Sequence, residues 1–127
     1  MTAIHKRVFF RLRQKLMGAF ITKPQPKPLV LLGPGSALQL GQLIGSFGMR
    51  KILVVTDKPL RELGVLDATL QALHDAGVET AIFDGVLPDP TEQVVDLGID
   101  CYHRERCDSV LAFGGGSSID AAKVIAL

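Results

Sequence analysis

No aspartate or glutamate precedes Asp57, while Lys6, Arg7, Arg11, Arg13, Lys15, Lys23, Lys27, Arg50 and Lys51 all do. The whole chain nevertheless carries a formal net charge of only +1, so its total charge gives no reason to expect a nucleic-acid partner. Cysteine is nearly absent: Cys101 and Cys107 stand six residues apart, a spacing of neither a zinc ribbon nor a redox pair. Both are expected as free thiols in a reducing cytoplasm, buried as small apolar groups rather than poised as nucleophiles. The three histidines, His5, His74 and His103, show no pairing at i, i+3 or i, i+4. That spacing argues against a zinc or iron site made within this chain. No apolar run approaches the ~18 residues needed to span a bilayer. No Gly-Lys-Ser/Thr closes a Walker A loop. The usual dinucleotide pattern fails twice, after Gly33-Pro34-Gly35 and after Gly114-Gly115-Gly116.

What is present points to one α/β domain. At 127 residues, 47% of them hydrophobic, the chain has room for a single core. Ile4 to Phe20 places Ile4, Val8, Phe9, Leu12, Leu16 and Phe20 on one helical face, with most of the basic residues opposite. Docking on the following domain or a partner chain is the favoured role for this segment. An anionic membrane surface and a cleaved transit segment are the alternatives. Lys23-Pro24-Gln25-Pro26-Lys27-Pro28 excludes helix and central strand and reads as a linker. The expected division is therefore a basic amphipathic helix over 1–22, a linker over 23–28 and a nucleotide-binding domain over 29–127.

Within 29–127, strands are expected at Leu29–Leu32, Lys51–Thr56, Glu79–Phe83 and Ser109–Phe113. Helices are expected between them, capped by Ser36, Asp67 and Thr91, with a short turn started by Pro59. Strands alternating with helices over short loops mean βαβ units and a Rossmann-like parallel sheet flanked by helices. Ligands in such sheets bind at the carboxyl ends of the strands. Two candidate features share that edge. Gly114-Gly115-Gly116-Ser117 joins a strand to a helix, where free N–H groups and a positive dipole can cradle a pyrophosphate. The plainer reading is a tight turn with a capping box from Ser117 to Asp120. Asp57, at the other strand tip, can accept from ribose hydroxyls and repel a 2′-phosphate, favouring NAD over NADP. Its plainer role, and the commoner one for an Asp in this position, is to cap the turn at Lys58-Pro59.

Gly114-Gly115-Gly116-Ser117-x-x-Asp120-x-x-Lys123 resembles the glycine-rich signature of the iron-containing alcohol dehydrogenase family. Val54-Val55-Thr56-Asp57 resembles that family's second-strand tip, and Cys107-Asp108-Ser109 the entry to its glycine-loop strand. Asp84-Gly85-Val86-Leu87-Pro88-Asp89-Pro90-Thr91 resembles its loop, with Asp89 where Asn is usual. The resemblance covers about residues 29 to 127. It implies an NAD-binding N-terminal part of an enzyme that interconverts an alcohol and an aldehyde or ketone. The implied cofactor contacts are Asp57, Gly114, Gly115, Gly116, Ser117 and Asp120. The implied second, helical domain would supply an Asp and three His to a divalent metal, iron or zinc. This chain does not contain that domain, so it is expected to be a truncated part with no catalytic or metal-binding residue of its own, and inactive alone. The alternative is a non-catalytic nucleotide-binding or interaction fragment. The expected partners are the nicotinamide cofactor and, in the complete protein, a small alcohol or aldehyde. A homodimer and a weak membrane-surface contact through residues 4–20 stay open.

Overall fold

The computed structural model describes residues 29–127; the expected helix at 4–20 and the linker at 23–28 lie outside the described residues. Among those described, helix α1 (Ser36–Ser46) leads to strand β1 (Lys51–Val55), a short helix α2 (Lys58–Glu62) and helix α3 (Asp67–Asp75). Strand β2 (Glu79–Phe83), helix α4 (Glu92–Arg104), strand β3 (Ser109–Ala112) and helix α5 (Gly116–Ile125) follow. The three strands are parallel in the order β2-β1-β3. Each crossover carries a helix, as parallel pairing requires.

Strand β1 is in the middle because it can be buried on both faces. Leu53 and Val55 join Ala81, Cys101, Cys107, Ala121 and Ile125 under α4 and α5. Ile52 and Val54 join Ile44, Leu66, Leu73 and Val78 under α1 and α3. The continuous apolar run of β1 is thus the signature of a strand covered on both sides. Cys101 and Cys107 are free and buried, and burial pushes the Cys107 thiol up.

Three expectations about local structure are overturned. Leu29–Leu32 is not a strand: it makes no ladder among the described residues, and Leu32 is 88% exposed. Leu29, Val30 and Leu32 are all exposed, so the run lacks the burial that would repay ordering it as a strand. Ser36 and Asp67 do not cap; each is the first residue of its helix, behind Gly35 and Leu66, with no side-chain cap bond. Thr91 does cap α4, accepting from the Val94 N–H at 3.4 Å.

Helices α1 and α3 pack so closely that a Cβ at Gly41 would lie 2.4 Å from the Ala72 carbonyl oxygen. That neighbour is backbone and cannot rotate away. Gly41→Ala would gain up to ~1 kcal/mol of helix propensity. The overpacking cost of ~1–3 kcal/mol is expected to exceed it. The urea midpoint should therefore fall, and a rise would show that the helices separate freely.

Asp108 ties the amino ends of β1 and β3 together. Its carboxylate accepts from the Arg50 N–H at 2.9 Å and the Lys51 N–H at 3.3 Å. The Arg50 N–H is the main reason its pKa is held below the ordinary value; the Ser109 hydroxyl and the Lys51 N–H add to this against a burial penalty. A depressed native pKa means that the unfolded chain binds the proton more tightly. The stabilisation is complete above the unfolded-state pKa and is lost as pH falls through the native one. The stability difference between the wild type and Asp108→Asn should therefore shrink from about pH 5 to about pH 2. Urea titrations at several pH values would read this, and a pH-independent difference would exclude it.

Candidate nucleotide cleft

A cleft of about 690 Å³ opens at the carboxyl edge of the sheet. The start of α2 forms one wall, with Asp57, Lys58, Pro59 and Leu60. The loop after β2, from Asp84 to Pro88, forms a second, and the start of α5, from Gly115 to Ser118, a third. This edge is built by extending the ladder past the strands. Thr56 N–H donates to the Phe83 carbonyl at 2.9 Å, Val86 N–H to the Thr56 carbonyl at 3.4 Å, and Asp57 bridges Gly85. The loop after β2 is thereby fastened beside the tip of β1.

Asp57 does cap α2: Leu60 N–H donates to its Oδ1 at 2.9 Å, and a proline follows in the first turn. Among the described residues Oδ2 has no partner, so the cap leaves an acceptor free on a residue that lines the cleft. The capping and ligand-binding roles are compatible in one carboxylate.

The glycine turn is built differently from the capping box expected from the sequence. Gly115 is the N-cap of α5, no side chain caps it, and the first helical bond runs from Ile119 N–H to the Gly115 carbonyl at 3.1 Å. Ser117 is already inside the helix, two residues too late to cap. The N–H groups of Gly116, Ser117 and Ser118 therefore start the helix without intrahelical acceptors, at its positive end. Gly114 is needed by the chain itself: its φ is +138°, and a Cβ there would lie 2.9 Å from Ser118 Oγ and 3.1 Å from Leu60 Cδ1. Gly115 and Gly116 are not. A Cβ on either meets nothing within 4 Å, and neither has a positive φ. Their missing side chains leave open space in front of the free N–H groups.

Of the six residues expected to touch a cofactor, Asp57, Gly115, Gly116 and Ser117 line the cleft. Gly114 lies behind it, holding the turn. Asp120 lies a turn further along α5, pairs with Lys123 at 3.2 Å and is not part of the lining. Lys58, Asp84 and Ser118 line the cleft without having been singled out as site residues. The Asp84-Gly85 turn directly after a strand at the ligand edge was the available signal for the second wall. Asp89, beyond that wall, takes φ +54°, a region that Asn and Asp tolerate better than other residues with a side chain. Among the described residues no group of three or more His, Cys, Asp or Glu could hold a metal ion. No described helix is long and apolar enough to cross a membrane.

Comparison with known families matches residues 27–127 to iron-containing alcohol dehydrogenase. The chain belongs to that family. It is 36% identical over 100 residues to the NAD-dependent methanol dehydrogenase of Bacillus methanolicus, covering 79% of this chain and 26% of that protein. It is 42% identical over 97 residues to the 1,3-propanediol dehydrogenase of Klebsiella pneumoniae, covering 75% of this chain and 25% of that one. Among solved structures, the NADH-dependent butanol dehydrogenase of Thermotoga maritima superposes with a TM-score of 0.72 at 28% identity, over 82% of this chain and 27% of that one. The chain thus spans about a quarter of the length of the relatives it matches, and the shared part carries the Rossmann-like fold.

Directly behind Asp57, the Thr56 side chain is fully buried and its Oγ1 has no hydrogen-bond partner among the described residues. An unmatched buried hydroxyl costs about 1–3 kcal/mol. Thr56→Val keeps the β-branched shape and removes the hydroxyl, so it should raise the urea midpoint by roughly 1 kcal/mol in stability. A loss of stability would show that the hydroxyl has a partner.

Proposed function

We propose that the cleft holds the pyrophosphate and adenosine ribose of NAD, and that residues 29–127 form one nucleotide-binding domain. The single observation that carries this reading is the pair of features on one sheet edge. Free N–H groups stand behind two glycines that the chain does not need, and a carboxylate with an unused acceptor stands across the cleft. Gly115, Gly116 and Ser117 would hold the pyrophosphate, and Asp57 the ribose hydroxyls. Gly114 supports them from behind, and Asp120 is left with an ion pair to Lys123.

For the complete protein we propose NAD-dependent interconversion of a small alcohol and an aldehyde or ketone. The family match and the names of the relatives support this. NAD, when bound, supplies the hydride acceptor for alcohol oxidation. The residues described here bind and orient that cofactor. The family is named for iron, and nothing in the comparisons supports zinc. The described residues do not fit a metal ion, so no metal-dependent step is assigned to them. Two free, buried cysteines agree with a reducing cytoplasm as the compartment.

Binding of both nucleotides to two variants tests the site. Asp57→Gly removes a charge-assisted acceptor worth ~1.5–3 kcal/mol, so NAD should weaken by about ten- to a hundredfold while NADP improves. Glycine is itself tolerated at an N-cap at a cost of only a few tenths of a kcal/mol, so the fold should survive. Gly116→Ala places a methyl group in the open space without touching protein. It should weaken NAD and NADP together and leave the melting temperature unchanged or higher. An unchanged NAD/NADP ratio in Asp57→Gly would reduce Asp57 to a helix cap. Unchanged binding in Gly116→Ala would remove the pyrophosphate from the glycine turn.

A further inference from the structure

Two cations stand at the Asp57 end of the cleft, and an acid holds each. Lys58 Nζ lies 3.8 Å from Glu62 Oε1, with both side chains largely exposed. Arg61 Nη1 donates to Asp84 Oδ2 at 2.7 Å, the shortest ion pair among the described residues. Arg61 lies one helical turn after Asp57, and its N–H donates to the Asp57 carbonyl at 3.2 Å. Asp84 lines the cleft and immediately precedes Gly85, which bridges Asp57. A guanidinium beside the expected ribose position is therefore bound to a carboxylate in the cleft wall.

We propose that Asp84 is a second cofactor-specificity residue, because it occupies the Arg61 guanidinium that would otherwise receive a 2′-phosphate. The inference rests on the reading of the cleft as an NAD site with Asp57 at the ribose. A ribose 2′-phosphate would add up to two negative charges where the 2′-hydroxyl meets Asp57. It would need a cation in reach, and a guanidinium fork suits phosphate geometry best. Arg61 is half exposed and on a long stem, so its head can swing. With Asp84 in place its charge is already matched. A phosphate taking Arg61 would have to break that pair and leave the Asp84 carboxylate uncompensated in the same cleft. Discrimination against NADP therefore has two parts, repulsion by Asp57 and withholding of Arg61 by Asp84. Relieving the repulsion alone should give relaxed specificity, while relieving both should give a preference for NADP.

Calorimetric titration of the full chain with NAD and with NADP tests this. The proteins are the wild type, Asp57→Gly, Asp57→Gly/Asp84→Asn, and that double variant with Arg61→Met added. Asp84→Asn is expected to improve NADP about tenfold or more beyond Asp57→Gly alone, the size of one new charge-assisted contact. Arg61→Met should abolish that gain. A gain that survives Arg61→Met would mean that Asp84 acts only through its own charge, or through Lys58, and would overturn the inference. Absence of any gain would overturn it too. Circular dichroism melts separate these outcomes from unfolding, and Asp84→Ser, with the same expected gain, replaces Asp84→Asn if that variant melts early. If the wild type binds neither nucleotide, the nucleotide reading of the cleft itself fails and takes this inference with it. If NAD binds and the variants show no Arg61-dependent gain, only this inference falls.

Discussion

Everything at the ligand edge depends on the burial of β1 on both faces. Leu53 and Val55 are committed to one helical layer, Ile52 and Val54 to the other, and all four are essentially inaccessible to water. A slip of one residue would exchange the two sets, so the register of β1 against β2 and β3 has no near alternative. Parallel pairing then brings the carboxyl ends of all three strands to one edge. Asp57, the Asp84 turn and the Gly114 turn face one cleft because three strands end together, not because they are close in sequence. Asp108 fastens the opposite edge through two backbone N–H groups, so the sheet is pinned where the ligand is not.

At the ligand edge the polar groups are arranged unequally. The α5 side offers backbone N–H groups and no charged side chain among the cleft residues, while the opposite walls carry Asp57, Lys58 and Asp84. A pyrophosphate suits the first side and a ribose the second. The charges near Asp57 are matched within the protein, Lys58 by Glu62 and Arg61 by Asp84. Asp57 is the carboxylate of that group that no cation pairs with among the described residues; its Oδ1 takes the Leu60 N–H and its Oδ2 has no hydrogen-bond partner. An acceptor left over after the local pairs are made is what hydroxyl recognition requires.

The parts of this arrangement that could be read from sequence are those fixed by local chemistry. The four-residue apolar run Ile52–Val55 reads as an interior strand, and Asp before Lys-Pro reads as a helix cap whatever else it does. Both held for β1 and Asp57. The same reasoning failed for Leu29–Leu32, because an apolar run specifies a strand only where pairing buries its side chains, and Leu29, Val30 and Leu32 stay exposed. It also failed for Ser117, where helix-start chemistry was right but the cap lies two residues earlier, at Gly115. That shift matters, because it makes Gly116, Ser117 and Ser118 the first residues of the helix, with N–H groups that neither the helix nor a capping side chain engages. The Arg61–Asp84 pair was out of reach altogether. The residues are 23 apart in the chain and meet only because β2 pairs beside β1.

The three adjacent glycines show how far geometry can separate structural from functional need. Gly114 has a left-handed backbone and packs against Ser118 and Leu60, so the fold alone accounts for its lack of a side chain. Gly115 and Gly116 have ordinary backbones, face open space and would accept a methyl group without contact. As the N-cap, Gly115 is a favoured residue in its own right, but at Gly116, the first helical position, alanine is better by propensity, so glycine there gives up stability without any gain in packing. The loss is intelligible if something outside the chain must approach the backbone to hydrogen-bonding distance. An anion at the start of α5 is such an occupant, and it uses both features that the two glycines leave available, the free N–H groups and the space in front of them.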